Sequence, residues 1–262
     1  MKTFLQQIIT GAGEISLAHR ERLHEVQITR KETVKDLVTE ADVAVEDYLV
    51  EQIKTRYPNH AICGEESGLH SGNEYRWVID PIDGTTSFVH KQPFYSISIA
   101  LQQHSETILA AVYAPVLDEL FMAERGNGAT LNGQPIRVSE STDLSDCVCT
   151  TGLACLRANL ERNNLGPINR IAPKLRGLRI LGSAAMDLCY VACGRTDGSW
   201  ELNLNIYDIA AGMLICTEAG GTVTDFSGTN TTNLPAEILA TNGRIHTQLS
   251  ELLTKQQPEA RA

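Results

Sequence analysis

Trp77-Val78-Ile79-Asp80-Pro81-Ile82-Asp83-Gly84-Thr85-Thr86 is an apolar run that ends in two carboxylates, a glycine and two hydroxyl residues. Trp77 to Ile79 reads as a short strand, and two acids where a strand stops are poor core material. Pro81 has no N–H and fixes its own φ, so Asp80 to Asp83 reads as a stiff turn that can hold both carboxylates on one side. A stiff acidic turn suits a hard metal ion. Gly84 permits close backbone approach, and Thr85 and Thr86 are good first residues for a helix whose free N–H groups can meet an anion. A dication and a phosphate are therefore expected to share one corner.

Downstream, Phe94 to Val138 alternates apolar and polar residues in runs such as Tyr95 to Leu101, Thr107 to Tyr113 and Glu119 to Ala123, separated by turns at His104-Ser105, Pro115 to Asp118, Gly126 to Gly128 and Asn132-Gly133. Period 2 with short turns predicts an antiparallel meander. Upstream, the helical spacing of Phe4, Leu5, Ile8, Ile9, Ala12 and Ile15 predicts an amphipathic helix within residues 3–27, and Val45, Leu49 and Ile53 predict a second over 43–56. Before that second helix, Thr39 or Asp42 reads as its N-cap, or Asp42 joins the site if it faces the acidic turn. His60 to Cys63 reads as a strand. Gly64-Glu65-Glu66-Ser67-Gly68 follows and can bring a third carboxylate, and Leu69 to Arg76 reads as a flexible flap near the metals.

A polar stretch around Ser139 to Asp146 marks an expected lobe boundary. Residues 1–140 then form an α+β lobe with the antiparallel sheet and most of the metal ligands. Residues 141–262, where strands and helices alternate, form an α/β lobe. In the second lobe Gly182-Ser183-Ala184-Ala185 reads either as a plain helix start or as part of the site. Asp208 opens a largely apolar helix ending near Gly220-Gly221, either as its N-cap or as a buried metal ligand.

At 262 residues and 42% hydrophobic, the chain can bury a large core. A net charge of −10 with no basic stripe argues against direct nucleic-acid binding, and an anionic substrate would need cations to recruit it. Gln6 and Gln7 interrupt the apolar run that a signal peptide needs, and no segment approaches the roughly 18 apolar residues of a membrane span. A cytoplasmic protein is expected. The seven Cys are scattered among small apolar residues and read as reduced core side chains.

Five ordered motifs together resemble the inositol monophosphatase family of magnesium-dependent, lithium-sensitive phosphatases: Asp36 to Asp42, Gly64 to Ser67, Trp77 to His90, Gly182 to Ala185, and Tyr207 to Gly212 with Glu218 to Gly221. The resemblance covers nearly the whole chain and implies a mixed α+β and α/β fold, the αβαβα layered sandwich of the inositol monophosphatase and fructose bisphosphatase type. It implies two or three Mg²⁺ ions. Glu65, Asp80 and the Ile82 carbonyl would hold the first, and Asp80, Asp83 and Asp208 the second. Asp42 and Thr85 would orient and deprotonate a metal-bound water. The Gly84 and Thr85 N–H groups would receive the phosphate, Ser183 and Ala184 would line the substrate, and Glu201 would accept a sugar hydroxyl. Lys31 falls where the family often carries a basic residue near the site.

The expected activity is therefore hydrolysis of a small polyol or sugar phosphate, with inositol 1-phosphate the leading substrate, by a homodimer. Two departures affect the substrate rim, because Tyr207 stands where the family commonly has Trp and Asn205 where many members carry a basic residue. Fructose bisphosphate, histidinol phosphate and 3′-phosphoadenosine 5′-phosphate are the alternative substrates. A protein-binding role with the transcription machinery is the alternative outside enzymology.

Overall fold

The computed structural model describes residues 1–22, 28–30, 37–229 and 234–255, and of 28–30 and 37–39 it describes the backbone alone. Lys31 and residues 23–27 of the expected first helix lie outside the described residues. Helix α1 (Lys2–Glu21) is followed by the short antiparallel pair β1 (Ile28–Arg30) and β2 (Leu37–Thr39), and then by α2 (Glu40–Arg56). Next come β3 (Ala61–Gly64), β4 (Gly68–His70), β5 (Tyr75–Asp83), the five-residue helix α3 (Thr85–Val89), β6 (Ser96–Gln103), β7 (Glu106–Ala114), β8 (Glu119–Glu124), β9 (Ala129–Leu131) and β10 (Gln134–Pro135). These strands form an eight-stranded sheet in the order β10-β9-β8-β7-β6-β5-β3-β4, antiparallel from β5 to β10 as the alternation predicts.

The rest of the chain supplies β11 (Val148–Thr151), α4 (Ala154–Arg157), α5 (Leu165–Ile171), β12 (Gly177–Arg179), α6 (Ala184–Ala192), β13 (Gly198–Leu204), α7 (Ile206–Glu218), β14 (Thr222–Thr224), β15 (Ala236–Thr241) and α8 (His246–Thr254). Its five strands pair in the order β12-β11-β13-β15-β14, with β11 parallel to both neighbours.

Strand periodicity builds the layers. On one face of the larger sheet Trp77, Ile79, Ile97, Ile99 and Leu101 pack on Leu5 and Ile9 of α1 and on Val45, Leu49 and Ile53 of α2. On the other face Val78, Ala100 and Val112 pack on Leu188 and Val191 of α6 and Ile209 and Leu214 of α7, which also meet Ile238 and Ala240 of the smaller sheet. The far face of that sheet, with Cys149, Trp200 and Leu239, is covered by Ile171 of α5 and Leu249 and Leu253 of α8. The result is an αβαβα sandwich with α6 and α7 as the central layer. The seven Cys are free thiols, five of them buried, consistent with their reading as core side chains.

Three local expectations are corrected. The acidic stretch is not a turn beyond a finished strand. Pairing with β6 runs on from Asp80 opposite Ser98 to Asp83 opposite Ser96, and the extra residue makes a bulge around Pro81, whose missing N–H would have left a gap in a regular ladder. Leu69 to Arg76 is not a flap. Gly68–His70 pairs antiparallel with β3, and Tyr75 already belongs to β5. Finally, α2 starts at Glu40, which makes Asp42 the third residue of the helix and not its cap.

Candidate active site

Asp80 and Asp83 project from the bulge of β5. Asp80 is 2% exposed, and its Oδ1 has no hydrogen-bond partner. Burial, reinforced by Glu65, Asp83, Asp208 and Asp42, holds its carboxyl well above the usual carboxylate range. Asp83 is better supported. The Ser183 hydroxyl donates to Oδ2 at 2.6 Å, the Ala185 N–H to the same oxygen at 2.8 Å, and the Ala184 N–H to Oδ1 at 3.2 Å. Burial pushes Asp83 up to about 6, against the pull of these donors. The N-terminus of α6 thus receives a carboxylate from a residue 100 positions earlier, as its dipole favours.

Asp208 comes from α7. Asn205 is the N-cap, its side chain accepting the Asp208 N–H, while Asp208 Oδ2 accepts the Asn205 N–H at 2.5 Å. This reciprocal capping box corrects the reading of Asp208 as the cap itself. It leaves the second carboxylate oxygen outside the box. Burial, followed by the charge of Asp83, raises the Asp208 carboxyl well above its ordinary value.

Glu65 sits half-buried in the turn after β3, and α2 sets its position. Glu46 is buried, with Oε2 accepting the Glu66 N–H at 3.0 Å and Oε1 the Ser67 N–H at 2.6 Å. A Cβ on Gly64 would stand 2.3 Å from Glu46 Oε1, so this clamp needs glycine at 64. Sequence reasoning missed Glu46. The available signal was its i, i+4 spacing from Asp42 on the buried side of α2. Asp42 is 1% exposed and close enough to act on Asp80.

Gly84 caps α3 in the left-handed conformation, φ 96°, and a Cβ there would lie 2.9 Å from the Gly182 carbonyl. The first helical bond runs from the Phe88 N–H to the Gly84 carbonyl, so the Thr85, Thr86 and Ser87 N–H groups have no intrahelical acceptor. The Thr85 hydroxyl donates to the Ile82 carbonyl at 3.2 Å, linking two residues expected to do different jobs.

Glu65, Asp80, Ile82, Asp83, Gly84, Thr85, Ala184, Glu201 and Asp208 all line one cavity of about 650 Å³. Asp42 and Ser183 stand behind this lining, and the Ser183 hydroxyl and Ala184 N–H are committed to Asp83. Glu201 reaches the cavity from β13, packed so closely that a Cβ on Gly152 would collide with its carboxylate. Burial and the charge of Asp83 raise it to about 7, against the lowering influence of Arg157. Among the described lining residues Arg157 is the one basic side chain, facing six acids. Asp187 of α6 is the sixth of these and was not anticipated from sequence.

Among the described residues no three His, Cys, Asp or Glu side chains form a ready-made metal cage. The donor chemistry nevertheless fits a hard divalent ion, because Asp80 Oδ1 is buried without a partner and Glu65, Asp83 and Asp208 face the same space. A cavity this acidic repels phosphate unless cations enter with it.

The sequence pattern of the inositol monophosphatase family matches residues 1–261. The chain is 41% identical over 249 residues to the Nus factor SuhB of Pasteurella multocida, covering 94% of this chain and 92% of that protein. It is 43% identical over 224 residues to the inositol monophosphatase of Dictyostelium discoideum, covering 83% and 82% of the two chains. The crystal structure of the extragenic suppressor protein suhB from Bartonella henselae superposes with a TM-score of 0.91 at 37% identity, over 97% of this chain and 98% of that one.

Proposed function

Because the chain belongs to the inositol monophosphatase family, we propose that it is a Mg²⁺-dependent phosphomonoesterase acting on a small polyol or sugar phosphate, with inositol 1-phosphate as the leading substrate. The observation that carries this reading is the meeting of Glu65, Asp80, Asp83 and Asp208 with the Gly84 to Ser87 helix start on one cavity that Glu201 also lines. When bound, Mg²⁺ would supply Lewis-acid activation of water and neutralise phosphate charge. Glu65, Asp80, Asp83, Asp208 and the Ile82 carbonyl are its proposed ligands. Asp42 and Thr85 orient the attacking water and take up its proton. The Gly84 and Thr85 N–H groups receive the phosphate oxygens. Glu201 accepts a hydroxyl of the leaving polyol. Ser183 and Ala184 contribute by holding Asp83. Phosphate release from inositol 1-phosphate, fructose bisphosphate, histidinol phosphate and 3′-phosphoadenosine 5′-phosphate, ranked by kcat/KM with and without Mg²⁺, tests the reading. Inositol 1-phosphate is expected to rank first, with inhibition by millimolar Li⁺, and negligible turnover of every inositol and sugar phosphate would overturn it.

A second reading comes from the name of the Pasteurella relative, a Nus factor. Under it the chain also serves as a protein-binding partner of the transcription machinery. Rescue of a deletion strain by an Asp83→Asn variant lacking phosphatase activity would make binding the main role, and failure of that variant to rescue would make catalysis the main role.

A further inference from the structure

Asp187 is the one acid in a helix otherwise almost wholly apolar. It lies in the first turn of α6, is 2% exposed, lines the cavity, and its Oδ1 has no hydrogen-bond partner. No metal ligand needs it, since Asp83 is already held by Ser183, Ala184 and Ala185 from the turn before. A buried oxygen left unpaired costs about 1–3 kcal/mol, so its place in a polar cavity calls for a ligand group. Its neighbours define which group. Glu201 is close enough to act on it electrostatically, as is Asp83, and Gly152, Leu153 and Ala154 line the same cavity, with Gly152 packed against the Glu201 carboxylate. Burial first, then Glu201 and Asp83, push the Asp187 carboxyl well above the usual carboxylate range, against the pull of Thr150. That shift favours the protonated form, and a protonated carboxyl can donate as well as accept.

Resting on the phosphatase reading above, we infer that Asp187 is a further substrate-recognition residue, its carboxyl joining Glu201 to hold a pair of hydroxyl groups on the polyol being released. Two carboxyl groups side by side, one donating and one accepting, match the alternating needs of neighbouring hydroxyls. A purely aromatic or hydroxyl-free leaving group gains nothing from them. The rival partner is the buried Thr150 hydroxyl, which lies near enough to Asp187 to favour its ionised form as a donor but does not reach full hydrogen-bond geometry there. If that contact were the purpose of Asp187, its loss would affect all substrates alike.

The test compares kcat/KM for inositol 1-phosphate with that for p-nitrophenyl phosphate in wild type, Asp187→Leu, Asp187→Asn and Thr150→Val, each with its Tm. In Asp187→Leu the ratio is expected to fall about 10- to 100-fold, the scale of losing one or two hydrogen bonds that a buried polar site makes to substrate. Asp187→Asn, which keeps a donor and an acceptor, should hold the ratio within about threefold, and Thr150→Val within about twofold. An equal loss on both substrates in Asp187→Leu, or a ratio that collapses in Asp187→Asn or Thr150→Val, overturns the inference while leaving the phosphatase reading intact. Should Asp187→Leu fail to fold, Asp187→Ala takes its place, with the same fall in the ratio expected and an equal loss on both substrates overturning the inference. A wild type that hydrolyses neither substrate with Mg²⁺ overturns the phosphatase reading, and this inference with it.

Discussion

Under the proposed reading, removing one carboxylate from this shared, buried site takes away charge that would hold the ion as well as a bond to it. Asp208→Asn keeps the shape of the capping box with Asn205 but gives up an anionic oxygen at the cavity. It is expected to lower kcat by more than ~100-fold and to raise the Mg²⁺ concentration needed for activity. Near-normal Mg²⁺-dependent turnover would refute its assignment. Glu46 acts at one remove. Glu46→Gln exchanges an anionic acceptor of the Glu66 and Ser67 N–H groups for a neutral amide, and the half-saturating Mg²⁺ concentration should rise about 10-fold with little change in kcat at saturating metal. An unchanged Mg²⁺ titration would show that Glu65 does not depend on that clamp. The acids that stand next to strand ends or glycines, such as Asp80, Asp83 and Glu65, could be picked out from sequence because nothing in a core asks for them there. Asp187 could not, and Glu46 only through its i, i+4 spacing from Asp42. Each sits inside a helical pattern where a lone acid reads as one more solvated position, and only the packing of α2 and α6 buries them.

Among the elements, β5 and α3 meet at Gly84, where the backbone turns left-handed against Gly182. Gly84→Ala combines a positive φ with a 2.9 Å approach to a carbonyl oxygen. A cost of about 1–3 kcal/mol follows from the backbone strain alone. Thermal unfolding should register a lower Tm, and activity should fall further than stability because α3 starts at this residue. A variant with wild-type Tm and turnover would mean that the turn is looser than the geometry implies. Elements with a clean period were legible in advance. The runs between Tyr95 and Ala123, separated by short turns, form the meander, and Leu5, Ile9, Val45 and Leu49 keep helical spacing and form α1 and α2. The bulge at Pro81 and the β3–β4 hairpin were not legible. A proline followed by two ordinary residues gives no sign that pairing resumes at Asp83, and the polar composition of Gly68 to Arg76 hides a strand held by backbone bonds alone.

For the molecule as a whole, the raised carboxyls give stability an unusual pH dependence. Asp83 at about 6 and Glu201 at about 7 lie above the values near 4 that such groups have in an unfolded chain. Their contribution is fully present below the unfolded value and is lost as pH rises through 6 to 7. The metal-free protein should therefore show a falling Tm between pH 5 and pH 8. If these acids hold Mg²⁺ as proposed, binding favours their ionised forms, and the increase in Tm on adding it should be larger at pH 8 than at pH 5.5. A metal-free Tm that rises over that interval would contradict the burial assigned to these groups. The grip of α6 on Asp83 has a kinetic side as well. Because the two partners are 100 residues apart, the corner cannot exist until α6 has docked on the bulge of β5. Contacts this distant in sequence are among the last to form, so a partly folded chain should carry native-like helix and sheet yet no hydrolytic power. On refolding from denaturant, recovered turnover should trail the far-ultraviolet signal, which would make catalysis a readout of completed assembly.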